Sequence, residues 1–281
     1  MSDFLKFPGD TVIRAKKRLG QCFLVNTSIA QKIVRNSNVS PSDTVLEIGP
    51  GLGALTIPLA RNVKQVIAIE KDEELFSKLS SRLLQEKISN VVLIHQDILK
   101  FDLRNLKEFF DDQITVFGNL PFNISSPLVA KLLLHHGCID RAVLMFQREF
   151  AERLVSLPGT KAYGAISVML RYRAKPTKLF KVSSGSFFPR PKVESMVVEL
   201  DFNQPWHICP ITDEALKRVV KPAFLHRRKT LLNALLGAPD KWTKETILDA
   251  LQVCGIDPSR RAETLSLDEF ICLAQRLALT E

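Results

Sequence analysis

No stretch of this 281-residue sequence approaches the roughly 20 consecutive apolar residues that a bilayer-spanning helix needs, although 46% of the chain is hydrophobic. The opening stretch MSDFLKFPGDTVIRAKKRLG lacks the apolar centre of a signal peptide, and Asp3 and Asp10 are out of place in a transit peptide. Cysteine is sparse. There are five, at positions 22, 138, 209, 254 and 272, an odd number with no Cys-x-x-Cys pair. That argues against a zinc site and against a disulfide framework, and it suits a reducing compartment. His135, His136 and Cys138 lie close in sequence but lack a second ligand pair, so no metal is expected. There is no internal repeat and no low-complexity tract. What remains is the expectation of a soluble cytoplasmic protein with one large domain, or a large one plus a small one.

The charge that is present is unevenly placed. The whole chain carries +9, yet residues 21–140 are near neutral at −1. The excess sits in residues 1–20, at +3, and in residues 141–192, at +9. A further cluster, Lys217, Arg218, Lys221, Arg227, Arg228 and Lys229, falls in a helical pattern. Clusters of this kind suit a polyanion, because each neutralised phosphate releases counterions. A merely solvated surface is the plainer alternative.

From Asp43 onward, strand and helix patterns alternate. TVLEIG, QVIAIE, NVVLIHQD, ITVFGNLP and RAVLMFQ read as five strands, separated by helical stretches of 10–15 residues. This is the signature of right-handed βαβ crossovers and an α/β, Rossmann-like sheet with helices on both faces. Two more strands flank a proline-punctuated loop in KPTKLFKVSSGSFFPRPKVESMVVELDF. Three helical patterns follow, over 212–236, 243–254 and 266–279, so a boundary is expected near 205. The expected division is a 1–204 domain, with 1–20 as a basic arm, and a small all-helical 205–281 domain.

In such sheets ligands bind at the carboxyl ends of the strands. Gly49-Pro50-Gly51-Leu52-Gly53-Ala54 satisfies G-x-G-x-x-[GA] between a strand and a helix, and Glu70 ends the next strand where it can meet ribose hydroxyls. This spacing alone leaves open a dehydrogenase or a tight turn with no ligand. Three features favour S-adenosylmethionine: Glu47 beside the loop suits a cationic amino-acid ligand, Gly53 is a third close glycine, and Asp97 can accept from an adenine amine. Asp97 taken by itself is more often a helix cap.

The fourth strand runs directly into Asn119-Leu120-Pro121-Phe122. The lone pair of an adenine N6 is delocalised into the ring, so the amine is a poor nucleophile. An Asn oxygen and a nearby backbone carbonyl can accept its two N–H bonds and aim the lone pair at a methyl group. Pro121 holds the backbone, and Phe122 can stack on the base and stabilise cationic charge. Transfer from a sulfonium then needs positioning and electrostatics rather than a strong base. The base must leave its stack to reach such a site.

These residues give the chain a resemblance to the ribosomal RNA adenine N6-dimethyltransferase family, in particular its bacterial small-subunit (16S) branch. It is carried by KRLGQCFL (17–24), VLEIGPGLGALT (45–56), IEKD (69–72), QDIL (96–99), FGNLPFNISSPL (117–128), AYGAISVM (162–169), FFPRPKVES (187–195) and FLHRRKTLLNALL (224–236). The resemblance implies a methyltransferase domain with a helical C-terminal domain. It also implies four methyl transfers to two adjacent adenosines in the 3′-terminal hairpin of small-subunit RNA, with the assembling 30S subunit as partner and the protein monomeric. The family's cofactor contacts fall on Cys22, Leu24, Gly49, Glu70, Asp97 and Asn119; Glu47 and Gly51 complete the expected set. Phe187 falls where the family places a second aromatic near the base, and Arg227, Arg228 and Lys229 are the expected RNA contacts. Position 22 is usually Asn or His in the family and position 122 usually Tyr; here they are Cys and Phe.

Three other readings share parts of this pattern. An Erm-type enzyme of large-subunit RNA has the same loop and clamp, but FLHRRKTLLNALL and GIDPSRRAETLS look more like the small-subunit enzymes. An RNA-binding assembly factor with incidental methylation would share the basic segments but need not keep both loop and clamp. A nicotinamide-dependent dehydrogenase needs a proton-transfer residue, and no His or Lys closely follows the fourth strand.

Overall fold

The computed structural model describes residues 15–16, 19–106, 109–110, 114–204, 211–240 and 242–278 in full, and 4–6 and 12–14 by their backbone. Most side chains of the expected basic arm, and Cys209, lie outside the described residues. The chain divides into two compact units, residues 1–151 with 177–203, and residues 152–176 with 204–281. The sequence pattern suggested one crossing near 205. The structure adds residues 152–176 to the helical unit, because Tyr163, Val168 and Tyr172 are buried among its helices and not in the sheet core.

The first unit is built on a seven-stranded sheet: β1 (Thr44–Ile48), β2 (Gln65–Glu70), β3 (Val91–His95), β4 (Ile114–Asn119), β5 (Ile139–Gln147), β6 (Lys175–Val182) and β7 (Ser195–Asp201). Their spatial order is β3-β2-β1-β4-β5-β7-β6. The first five are parallel, and β7 runs antiparallel to β5. Burial on both faces explains why these strands read as continuous apolar runs rather than alternating ones. Val45, Val66, Ala68, Phe117 and Val143 share one face with α1 (Thr27–Arg35) and α2 (Thr56–Ala60). The residues of the opposite face, including Leu46, Ile67, Val116 and Ala142, are equally buried. Helix α3 (Glu73–Gln85) is capped by Asp72, whose carboxylate accepts from the N–H groups of Glu74 and Leu75. It buries Leu75, Leu79 and Leu83 at four-residue spacing.

The remaining helices are α4 (Ser125–Leu134), α5 (Arg148–Val155), α6 (Ala165–Arg173), α7 (Asp213–Leu225), α8 (Leu231–Leu235), α9 (Lys244–Val253) and α10 (Leu267–Ala278). In the helical unit, Thr212, Thr230 and Thr243 cap α7, α8 and α9 through their hydroxyls. The expected single helix over 212–236 is two, because the chain leaves helical geometry at His226 and restarts at the Thr230 cap. Cys254 and Cys272 form a disulfide, with Cα atoms 5.9 Å apart, which corrects the expectation of unpaired cysteines. Sequence spacing could not show this, because packing of α9 on α10 sets the pair. Cys22 and Cys138 are free thiols.

The glycine loop between β1 and α2 is a steric necessity. Gly49 and Gly53 have φ of +66° and +83°, in the left-handed region. A Cβ on Gly53 would lie 2.6 Å from Leu79 Cδ1, while one on Gly49 would meet nothing within 4 Å. Gly53→Ala is therefore expected to cost roughly 2–3 kcal/mol, and Gly49→Ala about 1–2 kcal/mol from backbone strain alone. Equal losses in urea unfolding would contradict this account of the loop.

Candidate active site

One cleft opens at the carboxyl ends of β1, β2, β3 and β4. Cys22, Leu24, Glu47, Gly49, Gly51, Glu70, Asp97, Asn119 and Pro121 all line it. Strands ending at Ile48, Glu70, His95 and Asn119 thus deliver side chains at or beside their ends to one place.

Glu70 is buried, and both its oxygens are engaged. Oε2 accepts from the N–H of Gly51 at 3.0 Å and Oε1 from that of Asp72 at 2.8 Å. Burial raises its pKa above the ordinary glutamate value, with these backbone donors opposing the shift. Asp97 is paired with Lys71 Nζ at 2.8 Å and accepts from the N–H of Leu99 at 3.0 Å. Burial acts to raise its pKa, but the Lys71 bond and the backbone donor outweigh it and leave the carboxyl below its usual value. Glu47 is buried at 1% exposure, and its Oε2 has no hydrogen-bond partner. Burial pushes its carboxyl up to about 8; the Thr56 hydroxyl opposes the rise, and the nearby Glu70 charge adds to it. Burial likewise raises the Cys22 thiol.

Asn119 closes the other wall. Its Nδ2 donates to the backbone carbonyl of Cys22 at 3.2 Å. A carbonyl only accepts, so the amide's NH₂ end is fixed toward Cys22 and Oδ1 is the end left to accept. Pro121, at φ −56°, then turns the chain into the short helix Phe122–Ile124.

Not every expected residue reaches the cleft. Leu120 is buried at 2% exposure, so only its backbone is available there. Phe122 is half-buried and does not line the cleft. Phe187 is a core residue at 5% exposure: its strand Phe187–Phe188 pairs antiparallel with Phe23–Leu24, and its ring packs with Leu24 and Val182. As placed here it is not a free stacking surface. In the helical unit, Arg227 donates to the carbonyls of Lys161 and Tyr163 at 2.7 and 2.8 Å, so it braces that unit's own loop. Arg228 and Lys229 are exposed, with no side-chain partner among the described residues.

Sequence reasoning missed Lys16, Gln21 and Asp72. The Asp72 carboxylate binds Lys16 Nζ at 2.7 Å and Gln21 Nε2 at 3.0 Å while capping α3. This ties the segment carrying Cys22 and Leu24 to the site. The only available signal was an Asp immediately before a helical pattern.

The sequence profile described as Ribosomal RNA adenine dimethylase matches residues 12–279. The chain belongs to this family. A protein of Desulforapulum autotrophicum named Ribosomal RNA small subunit methyltransferase A is 43% identical over 265 residues, covering 94% of this chain and 93% of that one. One of the same name from Caldanaerobacter subterraneus subsp. tengcongensis is 42% identical over 275 residues, covering 95% and 98%. Among solved structures, a dimethyladenosine transferase from Plasmodium falciparum superposes with a TM-score of 0.76 at 30% identity, covering 89% of this chain and 95% of its own. The 23S rRNA methyltransferase ErmE, at 24% identity and a TM-score of 0.67, covers 91% and 99% and shares the fold. Membership of the dimethylase family sets aside the dehydrogenase reading of the glycine loop. Among the described residues no group of three or more His, Cys, Asp or Glu is placed to hold a metal, and no helix is long and apolar enough to cross a membrane.

Asp72→Ala removes a helix cap and two tethers, and is expected to cost roughly 2 kcal/mol in unfolding experiments at pH 7. It should also speed proteolysis within residues 15–24. The Asp72 carboxyl is held below its ordinary value: burial works against this, and the bonds from Lys16 and Gln21 outweigh it. Its contribution is therefore present above the unfolded pKa near 4 and is lost as pH falls through the folded one. Wild type and variant should converge in stability in acid; a gap that persists at low pH would rule out the charged tether.

Proposed function

We propose that this protein transfers methyl groups from S-adenosylmethionine to the N6 amines of two adjacent adenosines in the 3′-terminal hairpin of 16S RNA, acting as a monomer on the assembling 30S subunit. The observation that carries this reading is the Asn119 amide, held by its Nδ2 on the Cys22 carbonyl at the wall of the glycine-loop cleft. Relatives named for small-subunit RNA methylation, about 40% identical over more than nine-tenths of the chain, support the choice of substrate.

The residues present fit the cofactor. The side of Gly49 where a Cβ would stand is open, Glu70 and Asp97 end adjacent strands as ribose and adenine acceptors, and Glu47 is an unsatisfied carboxyl in the cleft. When bound, S-adenosylmethionine supplies an electrophilic methyl group on a sulfonium. The protein's part is positional. Asn119 Oδ1 accepts one N6–H and the Leu120 carbonyl the other, which draws the nitrogen lone pair out of conjugation. Pro121 fixes the path between these acceptors, and the buried Leu120 side chain anchors it. The half-buried Phe122 ring lies one residue beyond, for the flipped base. No side chain at this wall is a strong base, so the amine proton leaves to solvent after transfer.

Two experiments test this. Mass spectrometry of unmethylated 30S subunits incubated with protein and S-adenosylmethionine should find dimethyladenosine at two neighbouring hairpin positions. Product in large-subunit RNA instead would point to the Erm-type reaction, and tight subunit binding without product to an assembly factor. Asn119→Ala should lower methylation by about 10²–10³-fold, the scale of losing one transition-state acceptor, while changing cofactor affinity only a few-fold. Full activity in that variant would sink the clamp.

The helical unit is proposed to hold RNA through exposed Arg228 and Lys229. Reversing both charges should weaken subunit binding and lower the salt slope by about one to two. Arg227→Ala should instead lower the thermal stability of the helical unit, since its guanidinium braces residues 161–163. An unchanged salt slope in the double variant would show that these two side chains face solvent in the complex.

A further inference from the structure

Glu47 is a misfit in its strand. Its register partners are Ala68 on β2 and Phe117 on β4, both fully buried. The side chain is 1% exposed, and its Oε2 is a buried atom without a partner. The hydroxyl of Thr56, at the start of α2, is near enough to oppose the rise in the carboxyl's pKa but does not meet hydrogen-bond geometry, so it leaves both groups unsatisfied. An ionised carboxylate in such a place is strongly unfavourable unless a cation accompanies it. Among the described residues no side-chain cation does so. The charged group acting on Glu47 is Glu70, itself an acid. The two lysines nearest the cleft are committed elsewhere, Lys71 to Asp97 and Lys16 to Asp72. Cys22 adds a thiol whose burial disfavours ionisation. Glu47 nevertheless lines the cleft where the methionine end of the proposed cofactor would lie.

We propose that Glu47 is neutral in the ligand-free protein and ionises when the ammonium group of the cofactor's amino-acid moiety enters, so that binding releases a proton. This rests on the cofactor reading above. It explains why a carboxyl is kept where an amide or a leucine would stabilise the empty fold better: the acid is inert until its counter-ion arrives. Burial holds the carboxyl protonated at neutral pH, with a value of about 8. A cation alongside favours the charged form and lowers that value. Protons are therefore released on binding at any pH below the ligand-free value, and affinity rises with pH until that value is passed.

The test uses the whole protein and S-adenosylhomocysteine, which carries the ammonium group but no transferable methyl. Calorimetric titrations at pH 6.5, in buffers of different ionisation enthalpy, count protons. At that pH the ligand's α-amino group is already charged, so released protons come from the protein. Wild type should release about one proton per ligand, and its affinity should rise about tenfold per pH unit between pH 5.5 and 7. Glu47→Gln, an isostere of the neutral acid, should fold with unchanged thermal stability, bind with close to zero release and show a nearly flat pH dependence. Glu70 is present in both proteins, so its titration cancels in the comparison. An analogue lacking the amino group should release no proton from wild type. Binding with equal proton release by wild type and Glu47→Gln overturns the inference while leaving the cofactor reading intact. A wild-type protein that binds neither S-adenosylhomocysteine nor S-adenosylmethionine overturns both.

Discussion

The cleft depends on two neighbouring acids, Glu70 and Asp72, that use their carboxylates as structural fasteners. Glu70 accepts the N–H of Gly51 and so fixes the glycine loop against the end of β2. It also accepts the N–H of Asp72, which sets the orientation in which Asp72 caps α3 and holds Lys16 and Gln21. Hydrogen bonds to ionised acceptors contribute roughly 1.5–3 kcal/mol each, so this short chain outweighs any single apolar contact at the cleft. It joins three segments distant in sequence: the loop at 49–53, the start of α3, and the N-terminal stretch before Cys22. The last of these supplies the carbonyl that orients Asn119. The clamp on one wall is thus positioned by carboxylates on the other.

The acids of the cleft are nearly alike in sequence context, each at or just beyond the end of a parallel strand, yet they differ in state because their partners differ. Asp97 has a lysine and a backbone donor and stays charged. Glu70 has two backbone donors within a buried site. Glu47, inside the sheet with its Oε2 unpartnered, is pushed up to about 8, because burial dominates the opposing Thr56 hydroxyl. The gradient runs from solvent inward. It matches the ligand expected there, whose ribose and base need acceptors near the rim and whose cationic end needs a counter-ion at depth.

Much of this was legible in the sequence because it depends on local geometry. A β-rich run followed by closely spaced glycines leaves few conformations, and the left-handed φ values of Gly49 and Gly53 are what those glycines are for. The strand-end positions of Glu70, Asp97 and Asn119 followed from the βαβ rhythm alone. The failures are of another kind. The resemblance put Phe187 beside the target base, but pairing with Phe23–Leu24 places its ring in the core. Arg227 looked interchangeable with Arg228, yet a loop 64 to 66 residues earlier claims its guanidinium. The Cys254–Cys272 bridge and the transfer of residues 152–176 to the helical unit likewise depend on tertiary packing. No periodicity encodes contacts of that range.

In the proposed reaction, the Asn119 wall takes the place of a general base. A side-chain amide has two ends of opposite character, and a free asparagine offers either one to a ligand. Committing Nδ2 to the Cys22 carbonyl removes that choice before any base arrives, so no reorganisation is needed at the moment of transfer. The commitment uses the backbone of residue 22 and makes no demand on its side chain. The neighbouring Leu120 side chain is sunk in the core, and Pro121 carries no N–H to compete for the same acceptors. In the proposed reaction, Asn119 Oδ1 and the Leu120 carbonyl are the acceptors that hold the amine's two hydrogens while its lone pair is left exposed.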